Sequence, residues 1–109
     1  MTIYEIRHFK SESGTDVFGE WLDGMSEPLT RSRIEVRLAR VERGLFGVVE
    51  YLSDGVSEFK LDFGPGYRIY FGKDGKRIII LLCAGDKSTQ KKDIKRAIEY
   101  WKDYQGRSD

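Results

Sequence analysis

Three basic side chains, Lys60, Arg68 and Lys87, fall on or beside three successive strand-like segments between Glu58 and Lys87. Cations held on a rigid sheet suit the gripping of a phosphate backbone. An arginine fork binds phosphate oxygens in pairs, so Arg68 is the expected stabiliser of charge on a reacting phosphorus. A lysine held among other cations gives up its proton more readily, which makes Lys60 or Lys87 a candidate general base. Glu58 is a rival for that work. RNA cleavage without a metal needs such parts: a group that takes the 2′-hydroxyl proton, a cation for the phosphorane oxygens, and a donor for the leaving 5′ oxygen. No cluster of His, Cys and carboxylates has metal-ligand spacing, so no metal and no other cofactor is expected.

The elements that must position these groups are legible in the hydrophobic pattern. Phe59, Leu61 and Phe63 alternate with Glu58, Lys60 and Asp62, the period of a half-buried strand. Gly64-Pro65-Gly66 reads as a turn and Tyr67 to Phe71 as the returning strand. A three-residue loop would set Phe63 opposite Tyr67 and Asp62 opposite Arg68. Lys60, Arg68 and Tyr70 would then share a polar face, with Tyr70 placed to orient substrate or stack on a base. The plainer alternative for Arg68 is a cross-strand ion pair with Asp62, contributing roughly 0.2–1 kcal/mol.

Elsewhere, Ile3 to Phe9 is a plausible first strand. Ser13 or Thr15 can cap a helix carrying Val17, Phe18, Trp21, Leu22 and Met25. A second helix starts near Ser26-Glu27-Pro28, with Ser26 as cap, and presents Ile34, Leu38, Val41 and Leu45 on one face. Val48 to Leu52 is the second strand, and Asp54-Gly55 and Asp74-Gly75 are hairpin signals. Ile78 to Cys83 is apolar throughout, as in a central strand covered on both faces. A last helix carries Ile94, Ala97, Ile98 and Trp101 on one side, with Ser88 or Thr89 as cap. The expected architecture is one α+β domain over residues 1–109, in the order β-α-α-β-β-β-β-α. Two N-terminal helices would pack on one face of a mostly antiparallel sheet.

With 109 residues, 39% hydrophobic and 34% charged, the chain suits a single folded domain. No apolar run approaches the roughly 20 residues of a membrane span, and the N-terminus lacks the pattern of a signal peptide. A single cysteine excludes an internal disulfide, so the cytoplasm is the expected location. The net charge is only +1, but it is unevenly spread. Residues 1–30 carry two basic and six acidic side chains, and residues 31–109 carry seventeen and twelve. Arg33, Arg37 and Arg40 recur at helical spacing, either as a surface for RNA or as a solvated face that an acidic partner would cover. Lys91, with Lys87, stands at the start of the last helix, where a phosphate could rest. His8 reads as a structural strand residue, and Cys83, Trp21 and Trp101 as packing.

Two segments carry a resemblance. These are Glu58-Phe-Lys-Leu-Asp-Phe-Gly-Pro-Gly-Tyr-Arg-Ile-Tyr-Phe-Gly and Leu81-Leu-Cys-Ala-Gly-Asp-Lys-Ser-Thr-Gln-Lys-Lys-Asp-Ile, followed by a helical Ala97-Ile-Glu-Tyr-Trp. Together they resemble the RelE/ParE superfamily of bacterial toxins, in the phage-related addiction-module-killer branch near the HigB-type toxins. The resemblance implies a RelE-like compact fold and messenger RNA cleavage, in many members on the ribosome. It also implies inhibition by a cognate antitoxin, a helix-turn-helix protein in many such pairs. It matches Arg68 to the arginine that contacts the scissile phosphate and Lys60 to a lysine of the preceding strand, and it sets Lys87 near a further basic position. RNA-cutting relatives often use a histidine or tyrosine near the C-terminus; here the only histidine is His8, and the late tyrosines Tyr100 and Tyr104 lie deep in the last helix pattern. A ParE-like inhibitor of DNA gyrase and a non-catalytic antitoxin-binding regulator are therefore alternative expectations.

Overall fold

A computed structural model describes residues 3–107. The elements run β1 (Glu5–His8), α1 (Val17–Asp23), α2 (Pro28–Glu42), β2 (Val49–Ser53), β3 (Val56–Leu61), β4 (Tyr67–Asp74), β5 (Ile78–Asp86), a 3-10 turn (Lys87–Thr89) and α3 (Gln90–Arg107). The strands form one mixed sheet in the order β1-β5-β4-β3-β2. Its β2–β3, β3–β4 and β4–β5 pairs are antiparallel, and β1 lies parallel to β5. The α+β class and the element order follow the sequence pattern. The parallel β1 is the departure from an antiparallel sheet, made possible because α1, α2 and the β2–β4 meander intervene between β1 and β5.

Helices cover both faces of the sheet. On one face, Phe18 of α1 and Ile34 and Val41 of α2 pack on Phe59, Leu61, Ile69, Phe71, Ile79 and Leu81. On the other, Ala97 and Trp101 of α3 pack on Val56, Tyr70, Ile80, Leu82 and Cys83. A bulge between Tyr70 and Phe71 shifts the pairing with β5, so Leu82 and Cys83 both join the α3 face. With helices over both faces, the run from Ile78 to Cys83 is apolar at every position.

Several local expectations change. Asp16, not Ser13 or Thr15, caps α1, and its carboxylate accepts from Gly19 N–H. Met25 lies beyond the end of α1 at Asp23. Glu27 stands at the N-cap of α2 without a side-chain bond, and Pro28 rather than Ser26 marks the start. That helix ends at Glu42, so Leu45 does not continue the buried stripe and is 58% exposed. The 3-10 turn before α3 is capped by Asp86 in a capping box with Thr89. The two-residue β2–β3 turn holds Asp54 and Gly55 at φ 53° and 85°, the left-handed pair that a tight hairpin needs.

Candidate functional site

The β3–β4 connection decides the site. It is a five-residue loop over residues 62–66, not three, because Phe63 leaves the strand to pack against Tyr67 and Arg33. The register is therefore Leu61 opposite Tyr67, Lys60 opposite Arg68 and Glu58 opposite Tyr70. The expected Asp62–Arg68 pairing is corrected, and with it the cross-strand ion pair. Lys60 and Arg68 stand side by side, and Arg68 also pairs with Gly85 of β5.

The face they share lies under α3 and is largely closed to solvent. Glu58, Arg68 and Tyr70 are buried. Gln90, the first residue of α3, donates from Nε2 to both Glu58 oxygens at 3.1 and 3.3 Å. Arg68 donates from Nη1 to its neighbour's carbonyl, Tyr67 O, at 3.0 Å, and its Nε lies 4.0 Å from Glu58 Oε2. Arg68 Nε and the Tyr70 hydroxyl have no hydrogen-bond partner among the described residues. Such buried polar atoms are costly, and sites of function are where proteins keep them. Burial first, and then the Glu58 and Asp93 charges, push the Tyr70 phenol far above its ordinary value. It stays protonated, so it cannot serve as a base. At zero exposure it also cannot stack on an RNA base, which corrects that expectation.

Three lysines stand at the same end of the sheet as this buried group. Lys60 is half-buried, and its ammonium lies 2.5 Å from Glu50 Oε1 of β2. That hydrogen bond and charge hold the Glu50 carboxyl below its ordinary value. Lys87 is exposed and its side chain runs over Gly66, whose added Cβ would lie 2.8 Å from Lys87 Cε. Lys91 is exposed on the first turn of α3. Lys60, Arg68, Lys87 and Lys91 thus belong to the end of the sheet at which α3 begins.

α3 itself is tied down at this end. Asp93 is buried, accepts from Thr89 Oγ1 at 2.5 Å and meets Arg96 at 3.5 Å. A Cβ on Gly85 would sit 1.9 Å from Asp93 Oδ2, so only glycine lets the helix come this close to β5. Cys83 is buried behind the same turn, and burial pushes its thiol up to about 12.

The other predicted residues lie elsewhere. Arg37 donates to Lys60 O at 2.8 Å, Phe46 O at 2.7 Å and Val48 O at 3.2 Å, pinning α2 to the α2–β2 connection and to β3 backbone. This structural task corrects its reading as an RNA contact. Arg33 stacks over Phe63 at 4.0 Å, and Arg40 is exposed farther along α2. His8 binds Asp16 at 2.8 Å on the α1 side of β1, away from Arg68. Tyr104 donates to Asp74 at 2.6 Å and Tyr100 stacks on Phe9, so neither late tyrosine joins the cations. Among the described residues no group of His, Cys, Asp and Glu could hold a metal ion, and no helix is long and apolar enough to cross a membrane.

Sequence reasoning missed the Gln90–Glu58 contact, which joins residues 32 positions apart. Glu58 was visible as a carboxylate in a strand, but no local pattern announces which helix will cover it.

No protein-family model matches the chain. An uncharacterized protein of Haemophilus influenzae is 41% identical to it over 83 residues, spanning 76% of this chain and 84% of the relative. The chain belongs to the same family as that protein.

Proposed function

We propose that this member of the family is the toxin of a type II toxin–antitoxin pair, with a RelE-like fold, acting in the cytoplasm as a metal-independent messenger RNA endoribonuclease on the ribosome. A cognate antitoxin, of the helix-turn-helix kind, holds it inactive. The observation that carries this reading is the direct opposition of Lys60 and Arg68 across β3 and β4, with Lys87 and Lys91 at the adjoining end of α3. The sequence resemblance of the same two segments supports it.

In this reading the RNA 2′-oxygen attacks the neighbouring phosphorus and the bond to the 5′ oxygen breaks. Arg68, fixed by Tyr67 O and backed by Glu58, neutralises the phosphorane oxygens. Lys60, an ammonium against Glu50, supplies the proton to the leaving 5′ oxygen. Two groups compete to take the 2′-hydroxyl proton: exposed Lys87, and Glu58 once the Gln90 amide gives way. Parallel tests of Lys87→Ala and Glu58→Gln separate them by the pH profile of a single turnover with bound RNA, since loss of the base removes its limb of the profile while a disturbed Arg68 lowers the rate at every pH.

The decisive experiment is inducible expression of the chain and of Arg68→Ala, with new RNA 5′ ends mapped within minutes. Cuts inside translated messages that fall about 10²–10³-fold in the variant would support the reading. Undiminished cutting by a well-expressed Arg68→Ala protein would sink it. A second reading, a ParE-like gyrase inhibitor, draws on one observation: His8, Tyr100 and Tyr104 all lie outside the cation cluster. Intact messages with accumulating DNA breaks would favour it.

A further inference from the structure

A buried carboxylate and a buried guanidinium stand close together on β3 and β4 without a hydrogen bond between them. Glu58 is 1% exposed, and 8% of the Arg68 side chain is. Glu58 Oε2 lies 4.0 Å from Arg68 Nε, too far for a hydrogen bond, and that Nε has no partner among the described residues. Bonds between a guanidinium and a carboxylate are among the strongest a protein makes, and they close to about 2.7–2.9 Å. A movement of only about 1 Å would therefore join the two groups. Something holds them apart.

Gln90 is placed to do so. Its Nε2 donates to Glu58 Oε1 at 3.1 Å and to Oε2 at 3.3 Å, so one amide engages both oxygens. Gln90 is the first residue of α3, and the chain around it is fixed. Asp86 and Thr89 form the capping box just before it, and Thr89 Oγ1 donates to the buried Asp93. Asp93 in turn lies so close to Gly85 that a Cβ there would meet its carboxylate. The amide is thus presented by a rigid element, as a group that must hold another in place should be.

The consequence falls on Arg68. A guanidinium grips a phosphate best through two parallel N–H groups. Nη1 is already given to Tyr67 O, which leaves the edge carrying Nε and Nη2 as the fork. A bond from Nε to Glu58 would occupy half of that fork and set an anion against the incoming phosphate. We propose that Gln90 is a positioning residue: by holding the Glu58 carboxylate back, it keeps the Nε edge of Arg68 open for a phosphate oxygen of the RNA. This rests on the reading of Arg68 as the phosphate-gripping group and adds the residue that keeps it available. The rival role is a plain tether between α3 and β3, which would affect stability alone.

The test follows the Arg68 Nε–H signal by nuclear magnetic resonance in the full chain. The ligand is a short single-stranded oligonucleotide with deoxyribose sugars, which has no 2′-hydroxyl and is not cut. Gln90→Leu should move the signal to the position of a carboxylate-bonded guanidinium and weaken oligonucleotide binding about tenfold. Adding Glu58→Gln to Gln90→Leu should return the signal and restore binding, because the captured charge is gone. Binding is read without cleavage, so a role of Glu58 as base does not enter. A signal unmoved by Gln90→Leu, or a binding loss that Glu58→Gln does not restore, would leave only the tether and overturn the proposal. Glu58→Gln with Gln90 intact decides even where Gln90→Leu does not fold: a small movement is expected, and a large one would mean that the pair is already bonded. A wild-type chain that never binds the oligonucleotide would also overturn it. Absent message cutting by the wild-type chain, measured separately, would sink the ribonuclease reading and leave these binding results standing.

Discussion

The two faces of the sheet are built from the same strands but differ in kind. The face under α1 and α2 is apolar to its centre: Phe59 stacks on Phe71 with ring centroids 4.1 Å apart, and Phe46 meets Phe59 edge-on. The face under α3 alternates apolar contacts with Glu58, Arg68, Tyr70 and Asp93, all buried. The first face gains stability from area removed from water, roughly 1.5–3 kcal/mol for each large side chain fully buried. The second gives up part of that gain, because Arg68 Nε and the Tyr70 hydroxyl are dehydrated without a bond in return. Stability alone therefore does not explain the polar residues of the α3 face, whereas the proposed catalytic task would.

Substitutions on the two faces should separate them. Phe59→Ala, on the apolar face, should cost about 3–5 kcal/mol in urea unfolding, since it removes the ring that Phe46, Phe71 and Arg37 pack against. A much smaller loss would mean that this face is loosely packed and the contrast is weaker than drawn. Gly72→Ala tests the apolar half of the α3 face, where the added carbon would lie 2.5 Å from the Trp101 ring. The expected cost is about 1–3 kcal/mol, with a change in tryptophan fluorescence.

Tyr70→Phe is the sharpest comparison. Removing an unpartnered buried hydroxyl should leave stability unchanged or raise it by up to about 1 kcal/mol. A clear destabilisation would reveal a bond to that hydroxyl and erase the difference between the faces. The Cys83 thiol, raised by burial, should react with a thiol reagent at pH 8 only as fast as the protein opens.

The smallest effect concerns Asp16. Burial pushes its carboxyl up, but the bonds from His8 and Gly19 outweigh this, so the folded value lies below the ordinary 3.8. Folding thus favours the charged form. The contribution is complete above 3.8 and is lost as pH falls through the folded value. The pair is about one-third exposed, so Asp16→Asn should flatten the acid limb of a stability–pH curve by less than about 1 kcal/mol.

Much of this was legible in the chain. Alternation placed Phe59 and Leu61 on one face and Glu58 and Lys60 on the other, because a strand has a side-chain period of two whatever it pairs with. Ile94, Ala97, Ile98 and Trp101 marked the buried stripe of α3 for the matching helical reason. What failed was one loop length. Reading residues 64–66 as the whole turn moved Arg68 from Lys60 to Asp62, a slip that keeps every residue on its face but changes its neighbour. The caps slipped by one to three residues, since Ser, Thr and Asp near a helix start are interchangeable until geometry selects one.

Composition and periodicity by themselves determined the α+β class, the element order, the two buried faces and the candidacy of Lys60, Arg68 and Lys87. These are short-range properties, set by which side chains avoid water and at what spacing. Only the tertiary structure decided that Lys60 faces Arg68, that Gln90 holds Glu58 and that Arg37 is spent on carbonyls. Each of those joins residues far apart in the chain. Their meeting depends on how whole elements pack against one another, and no local pattern encodes that.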